Sequence, residues 1–121
     1  MLLTKEMLLG IKDTKIETVT VKEWDCDVNL KKLSGGERDI YESWIYKKSN
    51  GKTLTDSKDI KAKLIAMCLV DADGNKLLDA DKREDLDMLN AKSASALNFI
   101  FEKCSEINGM GNDGVDEAKK S

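Results

Sequence analysis

A chain of 121 residues with 36% charged side chains, 5% aromatics and a formal net charge of −3 is one domain's worth of protein, able to bury roughly two thirds of its unfolded surface. The charge balance lacks the basic excess of a nucleic-acid binder, and its longest basic runs are pairs such as Lys31-Lys32 and Lys47-Lys48. No segment approaches the length of a membrane span, and Lys5 and Glu6 interrupt the apolar start as no signal peptide would, so a soluble cytoplasmic protein is expected.

Residues 4 to 9 form either one helical turn, capped by Thr4 and stopped by Gly10, or a loosely held arm. From Ile16 to Val21 the β-branched run predicts a strand. The next segment alternates, with Cys26, Val28 and Leu30 on one face and Asp25, Asp27, Asn29 and Lys31 on the other. Glu23-Trp24-Asp25 then supplies the turn of an antiparallel hairpin with one wet face. Trp24 either folds over the apolar side of that hairpin or faces a partner.

Ser34-x-x-Glu37 reads as a capping box. It opens a helix to about Lys48, with Ile40, Tyr41, Trp44 and Ile45 on one stripe and Ser49-Asn50-Gly51 at its end. A second helix is expected from an Asp56 cap. Its broad apolar face (Ile60, Leu64, Ile65, Met67, Cys68, Leu69) suits the centre of the packing. Val70 to Leu78 predicts a tight hairpin or hook turning at Asp73-Gly74. Asp81-x-x-Glu84 is expected to cap a short helix with Leu86 and Leu89 inward. A last helix is expected from about Ala91 to Asn108, with Leu97, Ile100, Phe101, Cys104 and Ile107 on one side and Gly109 as its stop. Residues 109–121 read as a disordered tail. The fold class expected is α+β: a mostly helical single domain, 1–108, with an N-terminal antiparallel β-hairpin and about four helices.

Chemistry is scarce. Leu33-Ser34-Gly35-Gly36-Glu37 matches the signature of an ATP-binding cassette, but no P-loop accompanies it, and the capping box accounts for the serine and glutamate. Asp71-Ala72-Asp73-Gly74-Asn75 resembles the start of a calcium loop. Its sixth position is Lys76 and its twelfth Lys82, where glycine and a bidentate glutamate are needed. The chain has no histidine, which removes the commonest general base near neutral pH. Cys26, Cys68 and Cys104 have no metal-site spacing and read as reduced core thiols. No catalytic residue, metal or cofactor is expected. Two aromatics fall off the apolar stripes of their helices, Tyr46 and Phe99. They belong either to helices covered on two sides or, with Trp24, to a subunit or client interface.

Several segments, in order and spacing, resemble the tail assembly chaperones of long-tailed phages and prophages over roughly residues 5 to 108. They are the strand Glu17-Thr18-Val19-Thr20-Val21 with Glu23-Trp24 at its turn, and Val28-Asn29-Leu30-Lys31-Lys32-Leu33-Ser34-Gly35-Gly36-Glu37-Arg38-Asp39. They continue with the hook in Ala66-Met67-Cys68-Leu69-Val70-Asp71-Ala72-Asp73-Gly74-Asn75-Lys76 and the opening Asn90-Ala91-Lys92-Ser93-Ala94-Ser95-Ala96-Leu97. The resemblance implies a non-catalytic factor of the bacterial host cytoplasm. Such a factor binds the tape measure protein, recruits tail tube protein, self-associates as a homo-oligomer and leaves before the virion is finished. It implies no nucleic-acid or membrane partner, and for many members a longer frameshifted form. Two other classes fit the same composition: a tail or neck component retained in the particle, and a small prophage regulator that binds a host protein.

Overall fold

The computed structural model describes residues 1–49 and 59–110. In these, a three-stranded antiparallel sheet and five α-helices form an α+β fold, with the strands in the order β1-β2-β3.

Helix α1 (Lys5–Gly10) begins where Thr4 Oγ1 accepts the Met7 N–H at 3.2 Å, and it contributes no buried residue. Strands β1 (Ile16–Val21) and β2 (Cys26–Lys31) form the hairpin, joined by a 3-10 turn over Lys22–Trp24. The turn closes on Asp25 at φ 52°, in the left-handed region. The register pairs Glu17 with Leu30, Val19 with Val28 and Val21 with Cys26. Opposed residues share a face, so Val21 and Leu30 go into the core together. On the wet face Thr18 donates to Asn29 Oδ1 at 2.6 Å and Thr20 to Asp27 Oδ1 at 2.7 Å. Cys26 lies on the inward face but at the tip beside the turn. It is exposed, not the core thiol expected. Trp24 is half-buried and packs against the core.

Helix α2 (Gly35–Ser49) starts with the capping box complete: Ser34 N–H donates to Glu37 Oε1 at 3.0 Å and Glu37 N–H to Ser34 Oγ at 3.2 Å. Tyr41 is buried, stacks on Trp44 at 6.4 Å between ring centres, and donates its hydroxyl to the Ile60 carbonyl at 3.1 Å. The inward stripe is Tyr41, Trp44 and Ile45, at the i, i+3, i+4 spacing of one helix face. Ile40, expected on that stripe, falls off its edge and is 61% exposed. The expected stop at Asn50-Gly51 and the Asp56 cap lie outside the described residues.

Helix α3 (Ile60–Cys68) is the central element expected from its breadth of apolar residues: all of its residues from Ala62 to Cys68 are buried. It packs against α2, α4, α5 and the sheet, then runs directly into β3 (Leu69–Val70). That short strand pairs Leu69 with Leu30 and Val70 with Asn29, extending the expected hairpin to three strands. The hook follows at the expected place. Asp71 Oδ1 accepts the N–H groups of Asp73 and Asn75, Asp71 N–H donates to the Asn75 carbonyl at 2.8 Å, and Gly74 turns at φ 87°. A side chain there would be strained by that φ, and its Cβ would lie 3.3 Å from Ile16 Cδ1.

Helix α4 (Arg83–Asn90) buries Leu86 and Leu89 as expected, but Asp81 does not cap it. The Asp81 carboxylate turns instead to the buried Lys63 ammonium at 2.9 Å. Asp85 reaches back to the Asp79 N–H at 2.7 Å. Helix α5 (Ala94–Ile107) begins three residues later than expected, because Ser93 Oγ accepts the Ala96 N–H at 3.2 Å and sets the start. It ends in a Schellman motif: Gly109, at φ 65°, donates to the Glu106 carbonyl and Met110 to that of Ser105 at 2.7 Å. Met110 packs against the core, and residues 111–121 of the expected tail lie outside the described residues.

Candidate interaction surfaces

The three aromatics singled out in the sequence stand in different surroundings. Trp24 is half-buried and packs against the core beside the hairpin turn. Tyr46, on α2, is 69% exposed and lines a shallow surface depression with Asp39, Glu42, Ser43 and Lys47. Phe99, on α5, is half-buried. One part of its ring packs on the core, and the Lys103 ammonium lies 5.6 Å from its centre. The Phe99 and Tyr46 depressions have no lining residue in common, so the three do not form one patch.

Phe99 belongs to a groove of about 540 Å³ between the end of β1 and the first turns of α5, lined also by Thr20, Val21, Lys22, Glu23, Ser95 and Ala96. Its floor is apolar, since Val21 and Ala96 are buried there. Its rim is fixed by Glu23, whose carboxylate accepts from Ser93 Oγ at 3.0 Å and Ser95 Oγ at 2.8 Å. Those two bonds tie the hairpin tip to the N-terminus of α5, where a carboxylate is electrostatically favoured.

A second groove, of about 550 Å³, runs between α2 and the segment 76–82. Exposed Ile40 and Leu77 flank it. Lys63, only 4% exposed, stands at its base. The ammonium donates to the Ala80 carbonyl at 3.1 Å and to Asp81 Oδ1 at 2.9 Å, and lies 5.4 Å from the Trp44 ring centre. Its hydrogen bond, and then its charge, hold the Asp81 carboxyl below the ordinary carboxylate range. Across the groove, burial pushes Glu37 upward, but the Ser34 N–H, Lys76 at 3.2 Å and Lys31 at 3.6 Å outweigh it and hold its pKa below 4.5. Glu37 is thus paired with Lys31 and Lys76, and Lys63 with Asp81. Sequence reasoning passed over Lys63, although a lysine inside Ile60–Leu69 has apolar neighbours on every side of the helix.

Exposed apolar side chains concentrate in the N-terminal arm. Met1, Leu2, Leu3, Met7, Leu8, Leu9 and Ile11 are all exposed, Leu2 at 90% and Leu9 at 74%. In a helix of six residues, stability in water does not come from the helix itself. Nothing in the described fold covers those side chains.

Among the described residues, no three His, Cys, Asp or Glu side chains cluster so as to hold a metal ion, and no helix is long and apolar enough to cross a membrane. Cys68 and Cys104 are buried side by side between α3 and α5. The contact with Cys68, followed by burial, raises the Cys104 thiol far above its ordinary pKa, which leaves Cys104 an inert packing group.

Compared with known proteins, the chain matches no family model, no curated protein and no solved structure.

Proposed function

We propose that this chain is a phage tail assembly chaperone, a non-catalytic factor of the bacterial host cytoplasm. In this role it binds the tape measure protein and helps recruit tail tube protein. Two things support that reading: the ordered run of segments resembling the family, and the exposed apolar arm. The arm is the observation that carries it.

A chaperone for long apolar helices needs an adaptable apolar surface of moderate affinity, not a cleft with reactive groups. Leucine and methionine side chains on a short N-terminal helix supply that surface. Methionine in particular fills irregular partner surfaces because it is unbranched and polarizable. The folded body, built round the α3 core, holds the arm.

An assembly factor acts and leaves, whereas a tail or neck component stays. Mass spectrometry of purified virions separates the two. The chaperone role predicts no peptide of this chain in the particle while the infected lysate contains it. Stoichiometric copies in the virion would make it a structural component instead.

A further inference from the structure

Strand β1 is an edge of the sheet, and its outer side is open. The Lys15 carbonyl accepts the Lys32 N–H at 2.8 Å, which makes Lys15 and Lys32 a hydrogen-bonded pair of the antiparallel ladder. Such pairs alternate with pairs whose polar groups turn away from each other. By the register, Glu17, Val19 and Val21 therefore bond to β2, while Ile16, Thr18 and Thr20 point their N–H and C=O groups off the edge. Among the described residues, none of those outward groups has a hydrogen-bond partner. The edge also lacks the devices that protect one: the chain has no proline, the register runs without a bulge, and α1 buries nothing.

The Phe99 groove lies beside this edge. It is lined by the end of β1, the turn and the start of α5, and by no residue of β2 or β3, so it opens on the β1 side of the sheet. A strand added to β1 keeps the alternation of faces. Its residues opposite Val19 and Val21 point toward α5, over Ala96 and Phe99. Its residues opposite Thr18 and Thr20 lie on the wet face, where both threonine hydroxyls are already turned to Asn29 and Asp27. One added strand thus meets the open backbone groups and the apolar groove together.

We propose that β1 is a docking edge for an extended segment of another protein, apolar at alternate positions, which adds a fourth strand to the sheet. Charge argues against the β1 of a second copy. The antiparallel two-fold pairing that uses all the open residues sets Thr18 opposite its own counterpart. It then places Lys15 opposite Val21 and Glu17 opposite Val19, charges laid against an apolar groove. The chain's own arm is helical over Lys5–Gly10 and presents no strand. From the chaperone reading this takes only the existence of a second partner, with the edge for an extended segment and the arm for apolar helices.

The test uses no phage protein, so its failure and that of the chaperone role are separate results. Random linear peptides long enough to span β1, displayed on yeast, are selected on the immobilised full chain, and the most enriched is synthesised. Amide hydrogen exchange is then followed by NMR with and without it. The expected binder alternates apolar and polar residues. The N–H groups of Ile16, Thr18 and Thr20 should exchange fast in the free chain and become protected in the complex. Thr18→Pro removes one open donor at an edge, where proline spares the ladder. Two further peptides, N-methylated on one or the other set of alternate amides, leave the protein untouched and decide the matter even where Thr18→Pro unfolds. Only the set facing β1 should matter, weakening binding by about tenfold or more.

Protection of those three N–H groups in the free chain overturns the proposal, because the arm or a second copy then holds the edge. Selection that enriches no peptide overturns it as well. So does a peptide bound equally well with either set of amides methylated, since it does not dock through its backbone.

Discussion

Asn108, at the end of α5, accepts the backbone N–H of Leu33 on its Oδ1 at 2.8 Å, across 75 residues of sequence. Its Nδ2 donates to the Cys104 carbonyl at 2.8 Å and contacts Cys68 Sγ at 3.6 Å. One buried amide thus joins the entry to α2, the end of α5 and the central helix. Arg38 reinforces the joint by donating Nη1 to the Asn108 carbonyl at 2.9 Å.

Replacing Asn108 with leucine leaves the Leu33 N–H buried without an acceptor. A buried orphan donor costs about 1–3 kcal/mol, so Asn108→Leu is expected to lower the unfolding free energy by that amount, seen as a lower urea midpoint at an unchanged slope. Asn108→Asp keeps the acceptor and should recover part of the loss, tempered by the cost of burying a carboxylate.

The Lys63–Asp81 pair predicts an asymmetry. Asp81 is almost wholly exposed, and an ordinary exposed pair contributes little. Its partner ammonium, however, is buried. Asp81→Ala therefore leaves a buried cation with only the Ala80 carbonyl and the Trp44 ring beside it and is expected to cost about 1–3 kcal/mol. Lys63→Met, with similar volume and no charge, should be close to neutral. The double variant should match Lys63→Met alone, which equilibrium denaturation of the three chains would check.

Acid stability should depend on Glu37. Its folded pKa is depressed below 4.5, so on acidification the unfolded chain takes up the proton first. The stabilisation is complete above 4.5 and is lost as pH falls through the lower folded value. Asp81 acts in the same direction from 3.8 downward. Glu37→Gln should flatten the stability profile below 4.5 relative to wild type. An unchanged acid limb in that variant would remove Glu37 as its source.

These joints explain what could and could not be read from the chain. Local chemistry was legible where neighbours in sequence are neighbours in space. The Ser34–Glu37 box and the Asp73-Gly74 hook formed as expected, as did the alternation of β2 apart from Cys26. Misreadings came where a distant partner outbid a local one. Asp81 has the spacing of a helix cap, yet Lys63, 18 residues earlier, takes its carboxylate. Strand β3 is two residues long at the end of an apolar helix, and only its pairing with Asn29 and Leu30 marks it. The Phe99 groove was half legible: periodicity set Phe99 off the inward stripe, but its neighbours Thr20 to Glu23 arrive from the hairpin. For residues 4 to 9 the pattern allows a Thr4-capped helical turn or a loosely held arm, and the capped turn forms with its side chains exposed. Its exposure follows from the absence of any facing element among the described residues, which local pattern does not encode.

The most direct test of the chaperone role is co-expression of the chain with the tape measure protein encoded near it. Wild type is compared with a variant carrying Leu2→Ser, Leu8→Ser and Leu9→Ser, changes confined to the exposed arm. The expected result is tape measure protein that is soluble and co-elutes with the wild-type chain. It should be insoluble alone or with the arm variant, while that variant keeps its helical circular dichroism. Tape measure protein that neither binds the wild-type chain nor gains solubility from it would contradict the proposed function.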